Sequence, residues 1–436
     1  MQNTTLKTGL IWYRNDLRTR DQQSLSFATN ECDRVIALYC IDPRYFETTE
    51  FGFKKTEKFR AKFLLETIND LKVQLNQLNI DLFVFHDRPE NIIADFCETY
   101  EVGALYLQKE WTSEELVVSN KVKNSIQPTI KWVESFDQFL FHPDDINIPV
   151  SNIPQVYTVF RKKLEKYVDV RQEAVPAKMP PENRIKVKTQ IPQLNDLGFS
   201  DYKISESTAF PFNGGGTEAY KRLNNYFFKS KKLGVYKKTR NGLLGKDYSS
   251  KFSPWLANGS ISAKSIYWQV KNFETSNFKN QSTYWLVFEL IWRDYFKYIS
   301  LKHGNQIFKL EGILKKDYQW SSNPNLVEKW IHGETRSDFV NANMIELKET
   351  GWMSNRGRQN VASFFAKDLE LDWRIGAAYF ESQLLDYDVH SNYGNWMYVA
   401  GVGNDPRDRK FNVDLQAERY DSTGKYRRQW LQTTLF

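Results

Sequence analysis

A chain of 436 residues is long enough for two or three packed cores. Its 41% hydrophobic and 15% aromatic content, with 13 Trp, supplies more flat apolar surface than core packing usually demands. Sixty Lys and Arg against 53 Asp and Glu leave a formal +7, which permits a polyanionic partner and equally a plain solvated surface. Cys32, Cys40 and Cys97 form no CxxC pair and the five His are scattered, which argues against disulfides, structural zinc and any other metal centre.

From Gly9 to about Pro143 short apolar runs alternate with helical stretches; the runs are Leu10 to Tyr13, Val35 to Ile41, Leu82 to Phe85, Ala104 to Leu107 and Ile130 to Val133. The alternation predicts an α/β domain over residues 1–142, a five-stranded parallel, Rossmann-like sheet with right-handed crossovers. Leu64, Ile68, Leu71, Leu75 and Leu78 recur at helical spacing, so that helix should cover one sheet face. A dinucleotide fold wants glycines after its first strand, but the turn reads Arg14-Asn15-Asp16-Leu17-Arg18, and NAD is not expected there.

Residues 143–210 carry Pro176, Pro180, Pro181 and Pro192 with weak periodicity and read as an interdomain connector. Gly214-Gly215-Gly216 then precedes a helical pattern. With no strand before it and no Lys-Ser or Lys-Thr after it, the triplet reads as a helix-opening turn rather than a phosphate cradle. Residues 211–436 follow as an almost wholly helical domain.

Within it, Ser282 to Lys302 forms a helix with Trp285, Glu289, Trp292, Phe296 and Ile299 on one face. Glu289 is the lone charge between Tyr284 and Trp292. It either faces a polar cavity or pairs with Arg293 four residues on, and the reading favours the cavity. Gly351 to Phe365 adds Arg356 and Arg358 beside Asn355 and Gln359, donors suited to phosphates or base edges. Asp386 to Trp396 crowds Asp386, Asp388, Asn392 and Asn395, although an ordinary acidic loop has the same composition.

Taken together, TRNGLLGKDYSSKFSPWL (from Thr239), ELIWRDYF (from Glu289), GWMSNRGRQNVASF (from Gly351) and LLDYDVHSNYGNW (from Leu384) resemble the FAD-binding region of photolyases and cryptochromes. GLIWYRNDLRTRD and YCIDPRYF resemble the same family's antenna domain. NGLLG, YDVxSNYGNW, Gln359, and Tyr398 where ordinary dimer photolyases have Trp, point to the DASH branch. The fold implied is an α/β domain followed by an all-α FAD-binding domain.

The resemblance implies that Tyr236, Ser249, Ser250, Lys251, Phe252, Ser253, Arg293, Asn355 and Arg358 hold FAD. Asp386 and Asp388 would meet the isoalloxazine edge and the ribityl or adenine side, with Asn392 beside flavin N5. Glu289 would hydrogen-bond a cyclobutane pyrimidine dimer, Trp292, Gln359 and Tyr398 would line its cavity, and Arg240 and Arg356 would approach the nucleic-acid backbone. Trp396, Trp373 and Trp320 match the family's electron relay. Glu110 matches a position used for a methenyltetrahydrofolate antenna.

Asn355 and Gln359 stand where six-four photolyases carry a His pair, and three cysteines are too few for the iron-sulfur branch. The expected function is light-driven dimer repair by a deoxyribodipyrimidine photolyase, a lyase, with a preference for single-stranded DNA. RNA remains open as a further partner. The alternative is a blue-light photoreceptor that binds nucleic acid without repair. With no signal peptide, membrane span or coiled-coil seam, a cytoplasmic monomer is expected.

Overall fold

The computed structural model describes residues 6–432. Five strands, β1 (Leu6–Tyr13), β2 (Cys32–Cys40), β3 (Leu82–Phe85), β4 (Ala104–Gln108) and β5 (Lys131–Ser135), form one parallel sheet in the order β3-β2-β1-β4-β5. Along β1 the side chains alternate between two cores: Ile11 and Tyr13 join one, Leu10 and Trp12 the other. Both faces of the strand are therefore covered, which is why it reads as a continuous apolar run. β2 begins three residues before its apolar run because Asp33 and Arg34, at the sheet rim, are exposed.

Four helices serve this sheet: α1 (Gln23–Glu31), α2 (Lys58–Gln77), α3 (Pro89–Thr99) and α4 (Ser113–Ser125). The leucine-patterned α2 does more than cover a face. Ala61, Leu65, Ile68, Leu71 and Leu75 pack against the sheet, whereas Phe59 and Phe63 join the core of the helical domain. The predicted Leu64 and Leu78 are only half-buried, flanking that contact.

Residues 143–210 are stitched into both cores. Their helix α5 (Tyr157–Tyr167) buries Tyr157, Phe160 and Leu164, spaced three and four apart, in the helical core. Met179, Leu194, Leu197 and Phe199 then pack back on the sheet. Within this segment the Asn183 carboxamide bonds both backbone groups of Val35 and the Asn79 carbonyl, substituting for a missing strand neighbour.

The glycine triplet opens α6 (Gly216–Asn224), with Gly215 at φ +99°. Asp70 of α2 accepts from Thr217 N at 3.0 Å and Thr217 Oγ1 at 2.6 Å, so a carboxylate already occupies this helix end. The remaining helices are α7 (Tyr236–Thr239), α8 (Ser253–Ala257), α9 (Ala263–Ser276), α10 (Gln281–His303), α11 (Pro324–His332), α12 (Asp338–Thr350), α13 (Asn355–Ser363), α14 (Trp373–Gln383), α15 (Val389–Ala400), α16 (Val413–Tyr420) and α17 (Lys425–Leu431). Among the described residues no helix is long and apolar enough to cross a membrane, and no group of three or more His, Cys, Asp or Glu is arranged to hold a metal ion.

Candidate active site

Helices α7, α8, α10, α13 and α15 converge on a cavity of about 550 Å³, a size typical of ligand sites. It gathers Tyr236, Arg240, the loop Ser249 to Ser253, Glu289, Trp292, Arg293, Asn355, Arg356, Arg358, Gln359, Asp386, Asp388 and Tyr398. Asn392 lies in a smaller adjoining cavity of about 110 Å³, which shares Asn355, Arg358, Asp386 and Asp388 and is backed by Trp396. Helix α13 contributes Asn355, Arg358, Gln359 and Ala362 to this smaller cavity on a single stripe.

Glu289 does not pair with Arg293. Its carboxylate meets Arg240 Nη2 at 2.9 Å, with 27% of its side-chain surface still open to the cavity. Arg293 points elsewhere and donates to the carbonyls of Gln138 and Leu256. Burial raises the Glu289 pKa, and Arg240 pulls it part of the way back. Arg240, expected at a nucleic-acid backbone, is thereby engaged by a carboxylate. Arg356 lies over the Tyr420 ring at 4.7 Å.

One face of Trp292 is already covered. Tyr157 stacks on it at 3.6 Å and 10°, anchored by its hydroxyl on the Phe288 carbonyl. Tyr398 stands edge-on to Trp292 at 6.1 Å, and its hydroxyl accepts from Arg409 at 3.1 Å. Tyr157 and Arg409 escaped sequence reading: one sits in a segment of weak periodicity, the other in a charged loop without a pattern.

At the opposite end Arg358 pairs with Asp386 at 3.0 Å and Lys297 with Asp388 at 2.8 Å. Asp388 also caps α15, accepting from Ser391 N at 2.8 Å. Burial opposes its ionisation, but Lys297, with His390 and Arg293, outweighs burial and holds it far below the usual carboxylate range. Asn392 is fixed by donating to the Ala377 carbonyl at 3.0 Å.

Lys251 tests whether a flavin dinucleotide fits. It is 2% exposed, at φ +67°, and its ammonium has no hydrogen-bond partner among the described residues. The Tyr248 and Trp352 rings face it, at 3.3 and 4.4 Å, and burial drives its pKa well down against the pull of Glu346. Arg222, missed in the sequence, donates to the carbonyls of Lys246, Ser249 and Ser250, so the loop turns donors toward the cavity. A buried cation beside serine hydroxyls has the chemistry to hold a diphosphate, so the residues present fit a flavin dinucleotide.

Residues 285–434 match the family model described as the FAD binding domain of DNA photolyase, and residues 9–182 match that of DNA photolyase. The cryptochrome DASH of Gloeobacter violaceus is 48% identical over 428 residues, 98% of this chain and 85% of that protein. The cryptochrome DASH of Xenopus laevis is 45% identical over 96% of this chain and 81% of its own length. The chain belongs to the photolyase and cryptochrome family, in its DASH branch. The crystal structure of a Synechocystis cryptochrome superposes with a TM-score of 0.92 at 40% identity, covering 98% of this chain and 89% of that one. An archaeal photolyase from Sulfolobus tokodaii, described with two FAD molecules, gives 0.79 at 25% identity over 97% and 90%. FAD is the cofactor of this DASH-branch flavoprotein.

Two further groups lie outside the main cavity. Trp396 on α15 sits against Gly376 of α14, where a methyl group would overlap its ring, and Trp373 is one turn away on α14. Asp372 N donates to the Ser321 carbonyl at 2.8 Å, tying the Trp320 segment beside Trp373. Trp396 and Trp373 are buried, and Trp320 is half-exposed. Trp330 also touches Trp396, at 6.3 Å, but it is fully buried.

Glu110 lines a separate cavity of about 630 Å³ between the sheet domain and the helical domain, with Tyr39, Tyr45, Arg60 and Tyr387. Gln108 donates to it at 2.8 Å, and burial pushes its pKa up to about 7 against the pull of Arg14. Arg293 and Asp388 line both large cavities and form part of the wall between them, and Lys297, which pairs with Asp388, lines the interdomain one.

Proposed function

We propose that this chain is a light-driven deoxyribodipyrimidine photolyase that splits cyclobutane pyrimidine dimers, with a preference for single-stranded DNA. The observation that carries the reading is one cavity with two chemistries. Glu289, Trp292, Gln359 and Tyr398 line the part suited to a flat uncharged pair of rings, and Lys251, Arg358 and Asp386, with Asn392 in the adjoining smaller cavity, line the part suited to the flavin.

Bound reduced FAD supplies, on excitation, one electron to the dimer and recovers it after the ring has split. The chain binds, orients and excludes water. Glu289 is placed to hydrogen-bond the pyrimidine edge, where burial raises its pKa and Arg240 pulls it part of the way back. Substrate must first draw Glu289 away from Arg240, which frees that guanidinium for a backbone phosphate.

The strand preference has a physical basis in the stacking surface. Flipping a dimer from a duplex costs a few kcal/mol, whereas an aromatic platform returns about 1–3 kcal/mol per base. Here Tyr157 already covers one face of Trp292, and Tyr398 is edge-on and held by Arg409. A lesion that is already unpaired avoids the flipping cost. We further read Trp396, Trp373 and Trp320 as the relay that photoreduces oxidised FAD, Glu110 as a contact of a folate antenna in the interdomain cavity, and residues 1–142, 143–210 and 211–436 as the functional divisions.

The deciding experiment is repair of a thymine-dimer oligonucleotide, single-stranded and duplex, by reduced illuminated protein with a dark control. Light-dependent repair confined to single strands supports the proposal. Equal turnover of both substrates removes the strand preference, and bound FAD without repair of either leaves a blue-light photoreceptor.

A further inference from the structure

Trp320 ends the indole series, and its surroundings are unlike those of a packing residue. Its Nε1–H is buried and has no acceptor among the described residues, whereas Trp373 Nε1 donates to the Leu310 carbonyl at 3.0 Å. Tyr318, two residues earlier, stands edge-on to it with ring centroids 5.8 Å apart and planes at 86°. The Tyr318 hydroxyl donates to Asp408 Oδ2 at 3.0 Å and accepts from Lys316 Nζ at 3.1 Å. The other oxygen of Asp408 is held by Lys367 Nζ at 2.6 Å. Three separate stretches of chain thus converge on one half-exposed phenol.

We propose that Tyr318 is the terminal electron donor of the tryptophan relay, with Asp408 as the acceptor of its phenolic proton. This rests on the relay reading of Trp396, Trp373 and Trp320.

The step balances as follows. Oxidised Trp320, an indole radical cation, takes one electron from Tyr318 and returns to neutral indole. The Tyr318 O–H bond breaks, its proton moves to Asp408 Oδ2, and a neutral tyrosyl radical remains. The oxidising equivalent originates in photoexcited oxidised FAD, where the electron stays, and an external thiol later returns an electron and a proton to the phenoxyl oxygen.

Each contact has a part in this step. An indole radical cation without an acceptor for its N–H cannot relax by losing a proton within the protein, so it stays a strong oxidant. An oxidised phenol is a very strong acid, so its oxidation needs a base already in hydrogen-bond contact. Asp408 is that base. Lys316 and Lys367, with Nζ 5.4 and 5.1 Å from the ring centroid, disfavour positive charge lingering on the phenol and so favour proton departure. Asp408, with 39% of its side chain exposed, can pass the proton on to water.

The test uses the full chain loaded with oxidised FAD, flash excitation, and transient absorption with electron paramagnetic resonance. Tyr318→Phe and Asp408→Asn are compared with the parent, and spin-trap adducts are located by peptide mapping. The expected result is a tyrosyl signal and an adduct on Tyr318 in the parent protein. In Tyr318→Phe the radical stays on tryptophan and lives about tenfold longer, and in Asp408→Asn its conversion slows by about tenfold. A tryptophan radical of equal lifetime in the parent and Tyr318→Phe overturns the tyrosine step alone. Absence of any light-induced radical in the parent overturns the relay itself, and the donor role with it.

Discussion

Replacing Lys251 by Met separates what the buried ammonium contributes to the empty fold from what it contributes to FAD binding. The effective penalty for desolvating an ammonium is several kcal/mol. The Tyr248 and Trp352 rings offset part of this, each by about 0.5–2 kcal/mol. Because no hydrogen bond supplies the rest, Met should stabilise the apoprotein by about 1 kcal/mol. The same substitution removes a charge-assisted contact to a phosphate worth about 1.5–3 kcal/mol, so the FAD dissociation constant should rise about tenfold to a hundredfold. The pH dependence follows from the depressed lysine pKa. Between the folded and unfolded values, the latter about 10.4, the unfolded chain holds the extra proton, so apoprotein stability rises with pH across that window. Met abolishes that rise. Urea unfolding of the apoprotein at several pH values, with calorimetric FAD titration in buffers of different ionisation enthalpy, reads all three effects. FAD binding to the parent should take up a proton that the variant does not. A variant apoprotein less stable than the parent, with unchanged FAD affinity, would refute the reasoning.

Glu289→Gln breaks the ion pair with Arg240 and should lower repair yield about tenfold at saturating DNA while FAD content stays constant; an unchanged yield means that Glu289 does not touch the dimer. Trp373→Phe should slow photoreduction of oxidised FAD under steady blue light with FAD retained, and unaltered photoreduction would count against the relay. Gly215→Ala places a Cβ 2.5 Å from the Asp70 Cβ at φ +99°, which should destabilise by about 1–3 kcal/mol in urea unfolding. Glu110, with a pKa raised from 4.5 to about 7, favours the fold when protonated. Its contribution is therefore present at low pH and lost as pH rises through about 7, by up to about 3 kcal/mol; Glu110→Gln should flatten that decline and weaken folate retention.

How much of this was legible in the sequence depended on whether a residue's role is local or long-range. The strands were visible because both faces are buried, so Leu10 to Tyr13 and Leu82 to Phe85 are apolar without interruption. Their starts were hidden where rim residues such as Asp33 and Arg34 are exposed. Glu289 stood out because one charge broke a run of large apolar residues, but its partner did not. Spacing offers only Arg293, whereas the partner chosen, Arg240, lies on a different stretch of chain. Tyr157 and Arg222 show the same limit. Each acts through a contact more than 20 residues away, Tyr157 on Trp292 and Arg222 on the Ser250 carbonyl, and nothing in their own neighbourhoods signals it. Asp408 is the extreme case, an exposed acid in a charged loop whose meaning appears only once Tyr318 and Lys367 are brought beside it.

The charges around the cavity have a logic that composition alone cannot reveal. Glu289 has Arg240, Asp386 has Arg358 and Asp388 has Lys297, each within 3.0 Å. Removing one partner of such a buried pair costs about 3–5 kcal/mol, so each pair holds its helices in place as well as lining the site. Lys251 breaks the pattern, since its ammonium has aromatic rings around it and no carboxylate in contact. Arg293, which donates to backbone carbonyls, and Arg356, which lies over the Tyr420 ring, line the same cavity with no carboxylate paired to them among the described residues, so the cavity carries more positive than negative charge. Lys251 belongs to the loop that carries Ser249, Ser250 and Ser253, so an anion brought to that loop would meet a buried ammonium that has no hydrogen-bond partner among the described residues.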